Sequence, residues 1–76
     1  MRLSDLQNKN IINIIDGKNV GKIIDLEIDD KGNAVGLVVE KYKFIISSFS
    51  NKKELIIKWG QIKKIGEDVI LVNLIY

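Results

Sequence analysis

Acidic residues recur at alternate positions between residues 25 and 30, and acidic side chains with this spacing are typical ligands of Ca²⁺. Asp25, Glu27 and Asp29 match the first, third and fifth ligand positions of an EF-hand-like loop. The sixth position then holds Asp30 where such a loop needs glycine, and the twelfth holds Gly36 where it needs glutamate. The alternation also predicts a strand, which spreads carboxylates along one face instead of folding them around an ion. We therefore predict no metal site, and we interpret the acids as a solvated strand face that leads into a hairpin turn.

A nucleophilic site in this chain would have to be built from serine and lysine. The chain contains no cysteine and no histidine, so it has no thiolate and no imidazole base. The available residues are Ser47, Ser48 and Ser50, followed by Lys52 and Lys53. Loops rich in serine and lysine are usually polar connections, and a chain of this length has little room for a substrate cavity. We predict that the protein is not an enzyme, with no catalytic residue and no cofactor.

Length and composition define the class of protein. Seventy-six residues make one domain, 1–76, which buries only about 60% of its unfolded surface. Because cysteine is absent, association with another chain is the remaining way to add stability. No apolar run approaches the ~20 residues that span a membrane, and residues 1–10 lack the apolar segment of a secretory signal. The expected location is the cytoplasm, without membrane insertion.

Charge is divided unevenly along the chain. Residues 41–64 contain seven lysines and one glutamate, whereas residues 24–40 contain five acids and one lysine. We expect a dipolar domain with an acidic hairpin and a basic one. The expected basic contact surface consists of Lys52, Lys53, Lys58, Lys63 and Lys64. Nearby aromatic residues could stack on bases, but Arg2 is the only arginine and most charge runs are solvated faces. Nucleic acid is therefore the less favoured partner.

Apolar and β-branched residues alternate over several short segments, which is typical of half-buried strands. The predicted strands are 11–15, 20–29, 34–40, 43–49, 55–59 and 69–76. Turn residues separate them about every ten residues, and the connection 60–68 could hold a short helical turn. Five or six short strands with this spacing predict an all-β fold, a small and partly open antiparallel β-barrel.

The strand periodicity also assigns side chains to the core. Within 20–29, Ile24, Leu26 and Ile28 share one face, opposite the acids. Trp59 follows the alternation of the strand before it, so its ring is expected in or against the core, with its indole N–H on a backbone carbonyl. Gly36, inside a strand, predicts a bulge or a close approach of another backbone.

The C-terminal segment VILVNLIY is apolar on both of its strand faces. The residues on one of these faces are Ile70, Val72, Leu74 and Tyr76. A strand that is apolar on both faces is usually covered on both, and a second copy is the simplest cover. The pattern therefore predicts a homodimer that associates through these residues. The alternative is that the N-terminal segment around Leu3 and Leu6 covers the strand within one chain.

The N-terminal half resembles the opening signature of PRC-barrel domains. The matching residues are Leu3-Ser4-Asp5-Leu6, Lys9, Gly17, Val20-Gly21 and Asp25. Residues 55–72 are similar to the YlmC/YmxH family of sporulation-associated PRC-barrel proteins, with Lys58 and Gly60 where that family usually has proline and an acid. These motifs are structural rather than chemical, so they specify the fold better than the function.

The resemblance implies a partly open barrel, a cytoplasmic setting in spore-forming bacteria and no enzymatic activity. Other PRC-barrel domains resemble docking modules for proteins. The expected function is therefore a sporulation-associated protein-interaction module with an unidentified protein partner. The alternative is an RNA- or ribosome-associated role that uses the lysine-rich half, and clustering of the five lysines on one exposed face would favour it.

Overall fold

The computed structural model describes residues 2–43, 45 and 52–75. Within these residues there are two short helical segments and six strands. The helical segments are α1 (Leu3–Gln7) and a 3₁₀ turn (Trp59–Gln61). The strands are β1 (Asn10–Asn13), β2 (Gly21–Ile28), β3 (Ala34–Lys41), β4 (Glu54–Lys58), β5 (Ile62–Ile65) and β6 (Val69–Val72).

The six strands are arranged in two three-stranded sheets. One sheet has the order β2-β3-β4, and both of its pairs are antiparallel. The other has the order β1-β6-β5, in which the central β6 is parallel to β1 and antiparallel to β5. The predicted all-β, partly open barrel of five to six short strands is confirmed. The predicted antiparallel pairing holds for three of the four strand pairs among the described residues, whereas β1 and β6 are parallel.

Several predicted segments differ from the observed elements. The predicted strands 11–15 and 69–76 end earlier than expected, at Asn13 and Val72. The segment 60–68, predicted as a connection, contains β5, while the predicted helical turn is the 3₁₀ turn at its start. The predicted strand 43–49 lies mostly outside the described residues. Where the chain is described there, the N–H of Ile45 donates to the carbonyl oxygen of Tyr42 at 2.8 Å, so the backbone turns instead of continuing as a strand.

The core is one cluster of buried apolar side chains drawn from both sheets, from α1 and from connecting segments. Its members are Leu6, Ile11, Val20, Ile23, Leu37, Val39, Ile45, Ile57, Ile70, Val72 and Leu74. Burying each such side chain stabilises the fold by about 1.5–3 kcal/mol. Leu3 packs against this cluster, and Leu6 belongs to it. The N-terminal segment therefore covers the core within one chain.

A β-bulge changes the predicted face of β2. Ile23 and Asp25 pair with consecutive residues of β3, which leaves Ile24 as an extra residue in the ladder. Ile23 is buried as a result, whereas Ile24 is exposed. Ile28, beyond a second register shift, is exposed as well. The predicted core face is thus wrong for these two isoleucines, and only Leu26 packs against the core.

The backbone of β4 passes close to Gly36 of β3. A Cβ atom at this position would stand 2.6 Å from the carbonyl oxygen of Ile57. Gly36 also borders the register shift between Glu27 and Ile28 on β2. The prediction of a bulge or a close backbone approach at Gly36 is confirmed.

Candidate interaction surfaces

The acidic segment forms the turn of the β2–β3 hairpin. One carboxylate oxygen of Asp29 accepts hydrogen bonds from the N–H groups of Lys31 and Asn33, both at 2.9 Å. Gly32 has φ 85° and donates its N–H to the carbonyl oxygen of Asp29 at 3.0 Å. The hydrogen bond from the backbone N–H of Asn33 is the largest cause that lowers the pKa of Asp29. The interpretation as a hairpin turn is confirmed, and in the described ranges no three acidic side chains are grouped to hold a metal ion.

Asn13 is a buried polar residue at the end of β1. Its Nδ2 donates to the carbonyl oxygen of Leu74 at 2.9 Å, and its Oδ1 accepts from the N–H of Leu74 at 3.1 Å. The same Oδ1 accepts from the N–H of Ile15 at 3.3 Å. The side-chain amide therefore pairs with Leu74 as a strand backbone would, and it extends the contact between β1 and β6 beyond Val72.

Three isoleucines are exposed around this buried amide. The exposed fractions are 47% for Ile14, 56% for Ile15 and 82% for Ile75. Ile15 and the residue before Ile75 both donate their N–H to Oδ1 of Asn13. Ile14 donates its N–H to the carbonyl oxygen of Val72 at 2.9 Å. The backbone segments that carry Ile14, Ile15 and Ile75 are thus held together, and we call these residues the isoleucine patch. Grouped, exposed apolar side chains are a property of interaction sites.

Trp59 lies on the surface at the β2–β3–β4 sheet. Its side chain is 40% exposed and is not among those packed against the core, so the prediction that its ring lies in or against the core is wrong. The strand alternation stops at Lys58, where the chain enters the 3₁₀ turn, and this change of backbone directs the ring away from the core. The indole N–H donates to the carbonyl oxygen of Ala34, which confirms the predicted type of partner. Ile28 pairs with Ala34 in the ladder and is exposed, so two large apolar residues flank Ala34.

The residues predicted for self-association lie mostly inside the molecule. Ile70, Val72 and Leu74 are buried in the core of a single chain, and Tyr76 lies outside the described residues. The cover that the prediction assigned to a second copy is therefore supplied for these three by the chain itself. Self-association through this face stays a prediction, but the reason first given for it does not hold for Ile70, Val72 and Leu74.

The five lysines of the predicted basic surface are all exposed. Lys52 and Lys53 precede β4, and Lys58 ends that strand in the first sheet. Lys63 and Lys64 lie on β5, in the second sheet. The lysines are therefore distributed over both sheets, and their use as a contact surface stays a prediction.

The serines and lysines that were considered for a nucleophilic site lie in a segment that is only partly described. Ser47, Ser48 and Ser50 lie outside the described residues, whereas Lys52 and Lys53 are exposed. The described residues enclose no pocket. Within residues 2–43, 45 and 52–75, no helix has the length and apolar character required to cross a membrane.

The fold and motifs can be compared with those of known proteins. The model of the PRC-barrel domain family matches residues 1–76. The chain belongs to the PRC-barrel family. A relative in Bacillus subtilis (strain 168), named "Probable sporulation protein YlmC", is 37% identical over 73 residues, which cover 95% of this chain and 90% of the relative. An uncharacterised protein of Clostridium acetobutylicum is 34% identical over 71 residues, which cover 93% of this PRC-barrel chain and 82% of the relative.

Sequence reasoning missed two buried polar residues of this PRC-barrel domain. Asn13 interrupts the apolar run IINII, and a single polar residue in such a run is a signal for a buried hydrogen-bonded side chain. Lys41 has the same strand parity as Leu37 and Val39, which places it on the inner face, and it is 4% exposed. Burial lowers the pKa of the Lys41 amino group.

Proposed function

We propose that this PRC-barrel protein is a small, non-enzymatic docking module that binds a partner protein through the isoleucine patch. The carrying observation is that Ile14, Ile15 and Ile75 are exposed on backbone segments that hydrogen bonds hold together just beyond β1 and β6. We further propose that it acts in the cytoplasm of sporulating cells, because its Bacillus relative is named a probable sporulation protein.

The chemistry of the patch favours a protein partner over a small molecule. Small ligands bind in concave pockets, and the residues that the structure describes enclose none. An exposed apolar patch instead suits the centre of a protein interface, where charged residues are depleted. Covering the exposed parts of the three isoleucines would contribute about 3–5 kcal/mol before the cost of association.

The hydrogen bonds of Asn13 reduce the cost of ordering the patch. They fix the N–H of Ile15 and both backbone polar groups of Leu74 in the free protein. A surface that is ordered before binding loses less conformational entropy in the complex. Asn13 is thus a positioning residue for the patch rather than a contact residue.

Affinity capture from sporulating cells of the organism that encodes the chain tests this proposal. Ile15→Glu and Ile75→Glu should each abolish recovery of a partner that the unsubstituted protein recovers. Ile28→Glu is the matched control, because Ile28 is 51% exposed but lies on the other sheet. Binding should then be reproduced with the two purified proteins by calorimetry. Equal recovery by Ile15→Glu and the unsubstituted protein would contradict the proposal.

An RNA-associated role is the second candidate. All five lysines of the predicted basic surface are exposed, but they are distributed over both sheets instead of clustering on one face. Such binding should weaken as salt increases, because each phosphate contact releases counterions. We expect only weak, sequence-independent binding to a structured RNA. Sub-micromolar affinity at physiological salt, lost in the Lys63→Glu/Lys64→Glu double variant, would place the RNA role first.

A further inference from the structure

The outer face of the β2-β3-β4 sheet is arranged in three rows of cross-strand neighbours. The first row is Lys22, Glu40 and Glu54, the second is Asp25, Val38 and Ile56, and the third is Glu27, Gly36 and Lys58. Each row is given in the order β2, β3, β4. The intervening residues of β3 and β4, such as Leu37 and Ile57, face the core. We call the three rows the outer sheet face.

An apolar pair lies in the middle row of the outer sheet face. Val38 is half-buried and Ile56 is 42% exposed, and the two are direct neighbours across β3 and β4. Gly36 has no side chain in the row beside them. The β3 and β4 positions of the middle row are therefore apolar, with Glu40 and Glu54 in the row on one side and Lys58 in the row on the other.

The charges at the ends of the two outer rows have opposite order. The first row begins with Lys22 on β2 and ends with Glu54 on β4, whereas the third begins with Glu27 and ends with Lys58. A two-fold rotation about an axis in the plane of the sheet, perpendicular to the strands, exchanges these rows. After that rotation every charge at an end of the two outer rows lies opposite a charge of the other sign.

We propose that the outer sheet face binds the same face of a second copy of this chain about this two-fold axis. Lys22 then faces the partner's Glu27, and Glu54 faces the partner's Lys58. Two copies of Val38 and two of Ile56 meet in the centre, which removes apolar area from water. Glu40 lies over the partner's Gly36, which carries no opposing charge. Face-to-face packing of two sheets about 10 Å apart is the ordinary geometry of a β-sandwich.

A rotation about the other in-plane axis, parallel to the strands, fits less well. It would also pair the lysines with glutamates, but it would place Glu40 against the partner's Glu40 in the centre of the first row. It would also bury Asp25 against the partner's Ile56. In the proposed arrangement the only like charges that meet are two copies of Asp25, at the β2 margin of the contact, where solvent screens them.

The contact is small, so the expected complex is weak. Three short strands about 4.8 Å apart bury less than the roughly 1,200–2,000 Å² of a stable interface. Dimerisation should therefore depend on concentration in the micromolar to millimolar range and should weaken with salt. The proposal goes beyond the docking function and does not rest on it, because the isoleucine patch lies on the other sheet.

Analytical ultracentrifugation of charge-exchange variants tests the proposed dimer. Lys58→Glu and Glu54→Lys should each raise the dimer dissociation constant at least about tenfold, because each places like charges together twice in the symmetric contact. The double variant Lys58→Glu/Glu54→Lys restores opposite charges and should return the constant to within about threefold of the original. Rotation about the strand axis would predict no recovery, because the glutamate introduced in place of Lys58 would then face the partner's Glu27.

The remaining outcomes also decide the proposal. Ile15→Glu, in the isoleucine patch, should leave the dissociation constant unchanged, and circular dichroism should show that every variant is folded. A monomer at all concentrations up to about 1 mM would overturn the proposal. So would a dimer that the single charge reversals do not weaken, a double variant that does not recover, or a dimer lost in Ile15→Glu.

Discussion

The Asn13 side chain does not titrate, so its contribution to the free energy of unfolding is the same at every pH. Substitution of Asn13 by aspartate should make this contribution depend on pH. The change is nearly isosteric and keeps the oxygen that accepts from Leu74 and Ile15. The Nδ2 donor becomes a second oxygen, which faces the carbonyl oxygen of Leu74 at a position where a 2.9 Å hydrogen bond existed. Two acceptors then face each other unless the aspartate is protonated.

The size of the effect follows from the burial of the amide. Asn13→Ala should cost about 3 kcal/mol, because it removes two bonds to Leu74 and leaves buried polar groups unpaired. Asn13→Asp at neutral pH should cost about 3–5 kcal/mol, because it buries an uncompensated charge. A domain of this size has a free energy of unfolding of about 4–11 kcal/mol, so both variants should be partly destabilised rather than uniformly unfolded.

The sign of the pH dependence is fixed by the direction of the pKa shift. The pKa of the introduced aspartate should be raised in the folded state, so the folded variant binds more protons between the unfolded and folded pKa values. The stability difference between Asn13→Asp and the unsubstituted protein should therefore be smallest near pH 3 and should grow as the pH rises past about 4.

Urea unfolding followed by circular dichroism, at several pH values from about 3 to 8, measures this difference. Taking the difference removes the titration of all other groups, and Asn8→Asp at an exposed position provides the control. A pH-independent difference, or one that grows on acidification, would refute the assignment of Asn13 as a donor to Leu74.

Three further predictions concern stability, titration and exposure. Gly36→Ala should lower the free energy of unfolding by about 1–3 kcal/mol, because its Cβ would stand 2.6 Å from the carbonyl oxygen of Ile57. Gly60→Ala has no atom within 4 Å of the new carbon and should change the free energy by less than about 0.5 kcal/mol in urea titrations. In an NMR titration the pKa of the Asp29 carboxyl should lie below 3.8. The stability that the ionised carboxylate supplies should be present above that pH and should be lost as the pH falls through the folded-state pKa. Acrylamide should quench the fluorescence of Trp59 in the folded protein, and a native state as inaccessible as a core tryptophan would contradict the observed 40% exposure.

Local patterns in the sequence predicted the features that depend on neighbouring residues. The hairpin turn at 29–33 follows from Asp29, Gly32 and Asn33, whose side-chain and backbone preferences determine the turn by themselves. The strand period likewise identified Leu26 as a residue that packs against the core. The resemblance to PRC-barrel domains allowed the whole fold to be predicted, because this family motif is associated with one arrangement of strands.

The missed features depend on residues that are distant in the sequence. The hydrogen bonds of Asn13 reach Leu74, 61 positions further along the chain, and only the parallel pairing of β1 with β6 brings the two together. The bulge at Ile24 is likewise set by pairing with β3, since one extra residue reverses the face of every residue after it. Trp59 lies outside the core because the strand ends at Lys58 and the backbone enters a 3₁₀ turn. The alternation of apolar residues does not indicate where the strand ends.

The isoleucine patch is the surface on which we expect a partner protein to dock. NMR mapping tests this expectation most directly, by adding the captured partner, purified, to the ¹⁵N-labelled protein. The largest shifts of backbone amide signals should occur at Ile14, Ile15 and Ile75, and the signals of Ile28 and Lys63 should change little. Shifts centred on Lys63 and β5, with the three isoleucines unchanged, would contradict docking at the isoleucine patch.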